Sequence, residues 1–184
     1  QDAVYIPFIS PENIINKKDQ KEILILLNNL CEDESIIKVF HNAKYDCVIL
    51  KRYGVKTISF QDTLLMSYFI NNGLTRHNLE DLYFYYFGEA KEKFKDVMKN
   101  ESKRNYKDFS EVPLEFATNY AAYDSYATLK LFNKLNPLVA QDKNNWIYYE
   151  VDKKLSLVLQ NMESVGFKID RPLLSKLELE IGKE

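Results

Sequence analysis

"IIKVFHNAKYD" (residues 36–46) decides how the rest of the chain is read. An apolar run of strand type, Ile36, Ile37, Val39 and Phe40, stops abruptly at His41, Asn42, Lys44, Tyr45 and Asp46. A solvated turn is the ordinary fate of polar residues after a strand. A site is the other reading, because open α/β sheets place ligands beyond the carboxyl ends of their strands. The chain then runs into "AKYDCVILKRYG" (43–54), a helix stopped by Gly54. "TISF" (57–60) reads as a second strand, and Asp62 as the N-cap of "TLLMSYFINN", which Gly73 ends. "NLEDLYFYYFG" (78–88) is a further helix closing on glycine. Upstream, "VYIPFI" (4–9) reads as a short strand ended by Ser10 and Pro11. "DQKEILILLNNLCED" (19–33) repeats apolar residues at Ile23, Leu26, Leu27 and Leu30, a helical stripe. Strands alternate with helices, so the class is α/β with at least part of a parallel sheet.

The composition bounds the possible functions. With 184 residues, the chain holds one substantial domain, or one domain and part of another. It is 46% hydrophobic and 28% charged, a globular balance. No apolar run approaches the ~20 residues of a membrane span, and no signal peptide is visible. The two cysteines, Cys31 and Cys47, have no metal-ligand spacing. They read as reduced and buried, which fits an intracellular compartment. The net charge of −2 advertises no polyanionic partner, so nucleic acid would have to be held by a local basic patch or by metal ions.

Such a patch exists. "KEKFKDVMKNESKRNYK" (91–107) carries seven Lys/Arg against three Asp/Glu, with Phe94 and Tyr106 interleaved. It is either a solvated loop or an arm that follows a nucleic-acid backbone with an aromatic ring for base stacking. Next comes "EFATNYAAYDSYATLKLFNKL" (115–135), a long helix without Gly or Pro until Pro137. Tyr120 and Asp124 lie one turn apart on one face. Ala117 and Ala121 beside them leave room for another element to approach. On spacing alone this is either a hydrogen-bonded surface pair or half of a site.

"HNAKYD" followed by "YAAYD" resembles the second and third exonuclease motifs of the DNA polymerase I family (family A). The first of these runs roughly Asn-x-Lys-Tyr/Phe-Asp. The second is Tyr-x-x-x-Asp with Thr four residues on, matched by Thr128. "FQDTLLMSYFINN" and "RHNLEDL" resemble the family's middle helices, and "KFKDV" (93–97) the stretch before its third motif. The resemblance is closest to a plastid-type (apicoplast) member. It implies a ribonuclease H-like 3′–5′ exonuclease fold, a mixed sheet flanked by helices, over residues 1–140. Residues 141–184 would be a linker and the first helices of a polymerase domain. "YYEVDKKLSLVLQNMESVGFKIDRPLLSKLELEIGKE" (148–184) supports this, with a turn at Val165-Gly166 and a second helix capped by Asp170 with Pro172 in its first turn.

The chemistry implied is removal of mismatched nucleotides from the 3′ end of DNA during replication and repair. Two divalent ions, Mg²⁺ or Mn²⁺, clamp the scissile phosphate in that family. By resemblance, Asp124 is a direct ligand, Asp46 supports the second ion, and Tyr120 orients the attacking water. Asn42, Arg76 and Phe94 would hold the single-stranded 3′ end, with Lys93 and Arg104 on its backbone. His41 and His77 are expected to be structural. The resemblance departs at the family's first motif, Asp-x-Glu, expected upstream of "VYIPF"; Asp2 has no Glu two residues on. The expectation is a chain without the first strands, with at most one weakly held ion, negligible hydrolysis of its own and an exposed apolar face. Asp62 and Glu80 would be the first replacement carboxylates to consider. Two other readings stay open: a non-catalytic DNA-binding or structural remnant, and an RNA-trimming exonuclease of the same fold.

Overall fold

The computed structural model describes residues 3–74, 76–90, 93–99 and 105–182. The only sheet among them is a parallel pair, β1 (Lys38–Phe40) and β2 (Phe60–Asp62), in register Lys38↔Phe60, Val39↔Gln61 and Phe40↔Asp62. Parallel strands need a crossover, and α2 (Ala43–Arg52) supplies it. Gly54 ends the turn after α2 with φ +79°, a left-handed conformation that glycine adopts without a Cβ clash. β2 begins three residues later than "TISF" suggested, and its last residue, Asp62, caps α3 (Thr63–Ile70) by accepting from Leu64 N–H. α3 stops at Asn71, ahead of Gly73.

The expected mixed sheet is therefore corrected to a parallel pair among the described residues. The segment 4–9 carries no strand there either. Pro7 lies at its centre, offers no N–H to a ladder and fixes φ. α1 (Lys17–Glu32) is capped by Asn16, whose side chain accepts from Lys18 and Asp19 N–H. Its inner face buries Cys31, while Ile25 and Leu26 stand exposed.

α4 (Leu79–Phe87) starts at the Asn78 cap and ends at left-handed Gly88. Both α3 and α4 pack on α6 (Leu114–Gln141), the central helix. α6 runs through Pro137 to Gln141, longer than its sequence pattern suggested. A proline costs a helix one hydrogen bond. Here the flanking Leu135 and Val139 are both fully buried, and their packing holds the helix through the break. They form a core with Met66 and Tyr148, ringed by Leu65, Phe69, Ile70, Tyr86, Phe132 and Tyr149. A second cluster joins Val97, Val112 and Ala117 to Tyr5, Met98, Tyr106, Phe109 and Tyr120. Ala117 thus accepts the close neighbour its size allows.

The basic segment is not wholly irregular. It forms a one-turn helix, α5 (Phe94–Val97), and an isolated antiparallel bridge between Lys99 and Asn105. After α6, a π-helical segment (Ile147–Asp152) leads into α7 (Lys153–Val165), which packs back on α2. Lys44 of α2 pairs there with Glu163. Gly166 breaks the chain, and Asp170 caps α8 (Arg171–Ile181) by accepting from Leu173 N–H at 3.1 Å.

Candidate functional site

The turn after β1 is built by one carboxylate. Asn42 has left-handed backbone (φ 71°, ψ 54°), a conformation Asn tolerates better than most residues, and its side chain caps nothing. The open amides at the start of α2 are satisfied from β2 instead. Asp62 accepts from Asn42 N–H at 3.0 Å and Ala43 N–H at 2.8 Å, besides capping α3. This fixes the first turn of α2, which carries Asp46.

Asp46 and the Tyr120–Asp124 pair of α6 line the same cleft, of about 1270 Å³, together with His41, Asn42, Glu80 and Thr128. The cleft opens at the carboxyl end of β1, where a doubly wound sheet would place a ligand. Burial, reinforced by the charge of Asp62, pushes the Asp46 carboxyl up to about 6. Oδ1 of Asp124 is shielded from solvent. A smaller cavity of about 290 Å³ adjoins, walled by Phe94, Phe109, Tyr120, Ala121 and Asp124. There the Phe94 ring, half exposed, lies 6.0 Å from Phe109 at 29° and 5.9 Å from Tyr120.

Both histidines are structural in their bonding. His77 is buried; its Nε2 faces the Leu74 carbonyl at 3.2 Å and its Nδ1 the Ser67 hydroxyl at 2.8 Å, with the ring stacked on Tyr68. His41 Nδ1 lies 2.9 Å from Thr63 Oγ1, which donates to the Phe40 carbonyl. Burial holds its imidazole below the usual value, against the charge of Asp62.

The sequence-based candidates separate into three groups. Asn42, Asp46, Tyr120 and Asp124 meet at the cleft, and Phe94 joins through the adjoining cavity. Arg76 and Lys93 are exposed and line neither space; Arg76 sits 3.6 Å from Asp81 in a surface ion pair. Arg104 lies outside the described residues. Asp62 is not a replacement metal ligand: it is 2% exposed, and both its oxygens already accept backbone N–H groups. Its cap on α3 was readable, but the amides it takes from α2 lie about twenty residues upstream and leave no local signal. Tyr148 was missed altogether. It is fully buried, accepts from Asp62 N–H at 3.2 Å and donates to Gln61 Oε1 at 2.8 Å.

The donor set suits a hard divalent cation. Two aspartates, hard oxygen donors, line one cleft. Among the described residues no three His, Cys, Asp or Glu side chains cluster as a ready-made metal cage. None of the described helices is long and apolar enough to cross a membrane.

Comparison with known proteins gives the family. Residues 9–140 match the family model for the 3′–5′ exonuclease of family A DNA polymerases. DNA polymerase I of Rhizobium leguminosarum is 35% identical over 98% of this chain and 18% of its own length. DNA polymerase I of Pseudomonas aeruginosa is 29% identical over the whole chain and 20% of its own length. The chain thus spans about a fifth of these relatives. In fold it is similar to the POL domain of Pol1 from M. smegmatis, solved in complex with DNA primer-template and dNTP. The TM-score is 0.60 at 18% identity, covering 91% of this chain and 25% of that one. The chain therefore belongs to the 3′–5′ exonuclease domain family of DNA polymerase I-type enzymes.

Proposed function

We propose that residues 1–140 are the proofreading 3′–5′ exonuclease unit, of ribonuclease H-like fold, of a family A DNA polymerase acting in replication and repair. Residues 141–184 are, in this reading, the linker and opening helices of its polymerase domain. The observation that carries it is the meeting of Asp46 with the Tyr120–Asp124 pair in one cleft at the carboxyl end of β1. Large apolar side chains exposed on α7 and α8, among them Leu159, Met162, Leu173 and Leu177, support a following domain that covers them. An organellar location rests on the plastid-type resemblance of the motifs.

Asp46 and Asp124 would hold Mg²⁺ or Mn²⁺. When bound, such ions polarise a phosphodiester and make water nucleophilic at neutral pH. The remaining work falls to the chain itself. The Tyr120 hydroxyl orients the attacking water. Asn42, at the rigid left-handed turn, meets the terminal nucleotide. Phe94 stacks on a base beside Tyr120, and Arg76, Lys93 and Arg104 follow the phosphates of the single-stranded 3′ end.

Single-turnover hydrolysis of a 3′-labelled single-stranded DNA by the full-length protein tests this. Asp124→Ala should cost more than about 10²-fold in rate, and Tyr120→Phe less, because other groups still place the water. Wild-type rates in both variants sink the assignment. A wild-type protein that binds DNA but does not cut it identifies a non-catalytic remnant. Preference for an RNA strand would redirect the reading to RNA trimming.

A further inference from the structure

The carboxylate of Asp62 serves two elements at once. Oδ1 accepts from Leu64 N–H at 2.9 Å, the ordinary cap of α3, and also from Asn42 N–H at 3.0 Å. Oδ2 accepts from Ala43 N–H at 2.8 Å. The Asn42 side chain does not cap α2, so the first amides of the turn that presents Asp46 are satisfied by this one group. Asp62 is in turn held from outside the region that matches the exonuclease family. Its backbone N–H donates to the hydroxyl of Tyr148, and that hydroxyl donates to Gln61 Oε1. The Tyr148 ring is locked among Met66, Leu135 and Val139. It sits in the π-helical segment Ile147–Asp152, an irregularity that often marks function. The bonds run without a gap from this segment to β2, to Asp62 and to the first turn of α2.

We propose that Asp62 is a positioning residue for Asp46, and that Tyr148 positions Asp62, so the segment leading to α7 sets the geometry of the exonuclease cleft. The proposal rests on the exonuclease reading for what Asp46 does; the positioning does not. Neither residue lines the cleft: Tyr148 acts through the backbone that carries Asp46, and Asp62 acts through that backbone and also through its charge.

Two substitutions isolate the chain of bonds. Tyr148→Phe keeps the buried ring and removes the hydroxyl. Asp62→Asn keeps an acceptor for Leu64, since Asn is a good N-cap. It turns an NH₂ donor against the Ala43 N–H, which then lacks its partner. Wild type, each variant and the double variant are compared in the full-length protein. Amide hydrogen exchange of the peptide 41–47 is the first readout. The others are single-turnover hydrolysis of single-stranded DNA, DNA affinity, and the Mn²⁺ concentration giving half-maximal rate.

In Tyr148→Phe, exchange in 41–47 should rise about five- to tenfold, the effect of losing one buried hydrogen bond. The hydrolysis rate at saturating DNA should fall by a similar factor. DNA affinity should stay unchanged, and the Mn²⁺ requirement should rise. The double variant should be no worse than Asp62→Asn, because both substitutions break one chain. Unchanged exchange in 41–47, multiplied losses in the double variant, or exchange rising evenly over all peptides would overturn the proposal. A wild type that fails to cut DNA refutes the exonuclease reading alone. The exchange measurement then still decides the positioning: faster exchange in Tyr148→Phe supports it, and none overturns it.

Discussion

Asp46 sits where the bare protein least tolerates its charge, and that makes its cost measurable. Burial and the neighbouring Asp62 raise its carboxyl from 3.8 to about 6. A carboxylate raised on folding contributes stability that is complete below its unfolded value and is lost as pH rises through the folded one. At pH 8 the charged form therefore costs up to about 3 kcal/mol, at 1.36 kcal/mol per pH unit. Asp46→Asn should raise the melting temperature at pH 8 by roughly 2–4 °C per kcal/mol relieved. Near pH 3, where the carboxyl is neutral in both the folded and the unfolded state, the gain should vanish. Mg²⁺ should stabilise wild type at pH 8 and leave Asp46→Asn little changed. Melting curves at the two pH values, with and without Mg²⁺, check this, and a variant no more stable than wild type at pH 8 contradicts it. Asn42 makes a second case. Its φ of 71° lies where Ala is strained by about 1–2 kcal/mol and Gly is not. Asn42→Ala should therefore destabilise the protein, and Asn42→Gly should not, in the same denaturation experiment.

At the scale of elements, the contrast lies between α6 and the basic segment before it. α6 is fixed by buried residues along its length, so Tyr120 and Asp124 are carried on a rigid rod. α5 is a single turn, and Lys93 and Lys95 around it are exposed. If this turn follows a DNA backbone, Lys93→Gln with Lys95→Gln should weaken single-strand binding. The salt slope should also flatten by ~0.7 for each phosphate no longer neutralised. Phe94→Ala should cost about 1–3 kcal/mol in affinity if its ring stacks on a base. An unchanged affinity and slope, read by fluorescence titration across several salt concentrations, would leave a solvated turn. The helices were legible because their signals are local: the Asp62 cap, the Gly88 stop, and the Tyr120–Asp124 spacing. The strand expected at 4–9 was not, since an apolar run says nothing about whether a neighbour is there to pair, and Pro7 weighs against pairing. Half of the site was legible in the same way. Asp46, Tyr120 and Asp124 stand in motifs, whereas the second duty of Asp62 and the whole role of Tyr148 come from hydrogen bonds spanning about 20 and 86 residues of sequence.

For the molecule as a whole, the question is where one folding unit ends. The family match stops at residue 140, and we place the start of the polymerase part at 141. Packing does not follow that division. Tyr148 is fully buried in a core whose other members, Met66, Leu135 and Val139, all precede it. Lys153 lies over the Phe60, Tyr148 and Tyr149 rings, at 5.5 to 6.0 Å. The Lys44–Glu163 pair ties α7 to α2, although its half-exposed carboxylate makes it a minor contributor. Ending the chain at residue 140 therefore does more than remove an appendage. It opens a hole the size of a tyrosine against Met66 and strips the hydroxyl from Gln61 and Asp62. Removing a large buried aromatic costs about 3–5 kcal/mol, which for a chain of this size corresponds to roughly 10 °C. Ending it at Gly166 removes only α8, which buries no residue. Chains 1–140, 1–166 and 1–184 should be compared by calorimetry. The first should melt well below the other two, which should melt close together. Were 1–140 to melt with the full chain, the π-helical segment would be an attachment to the exonuclease unit and the boundary at 140 a structural one. The expected order instead makes the segment after residue 140 part of the exonuclease core, with Tyr148 as the residue that anchors it.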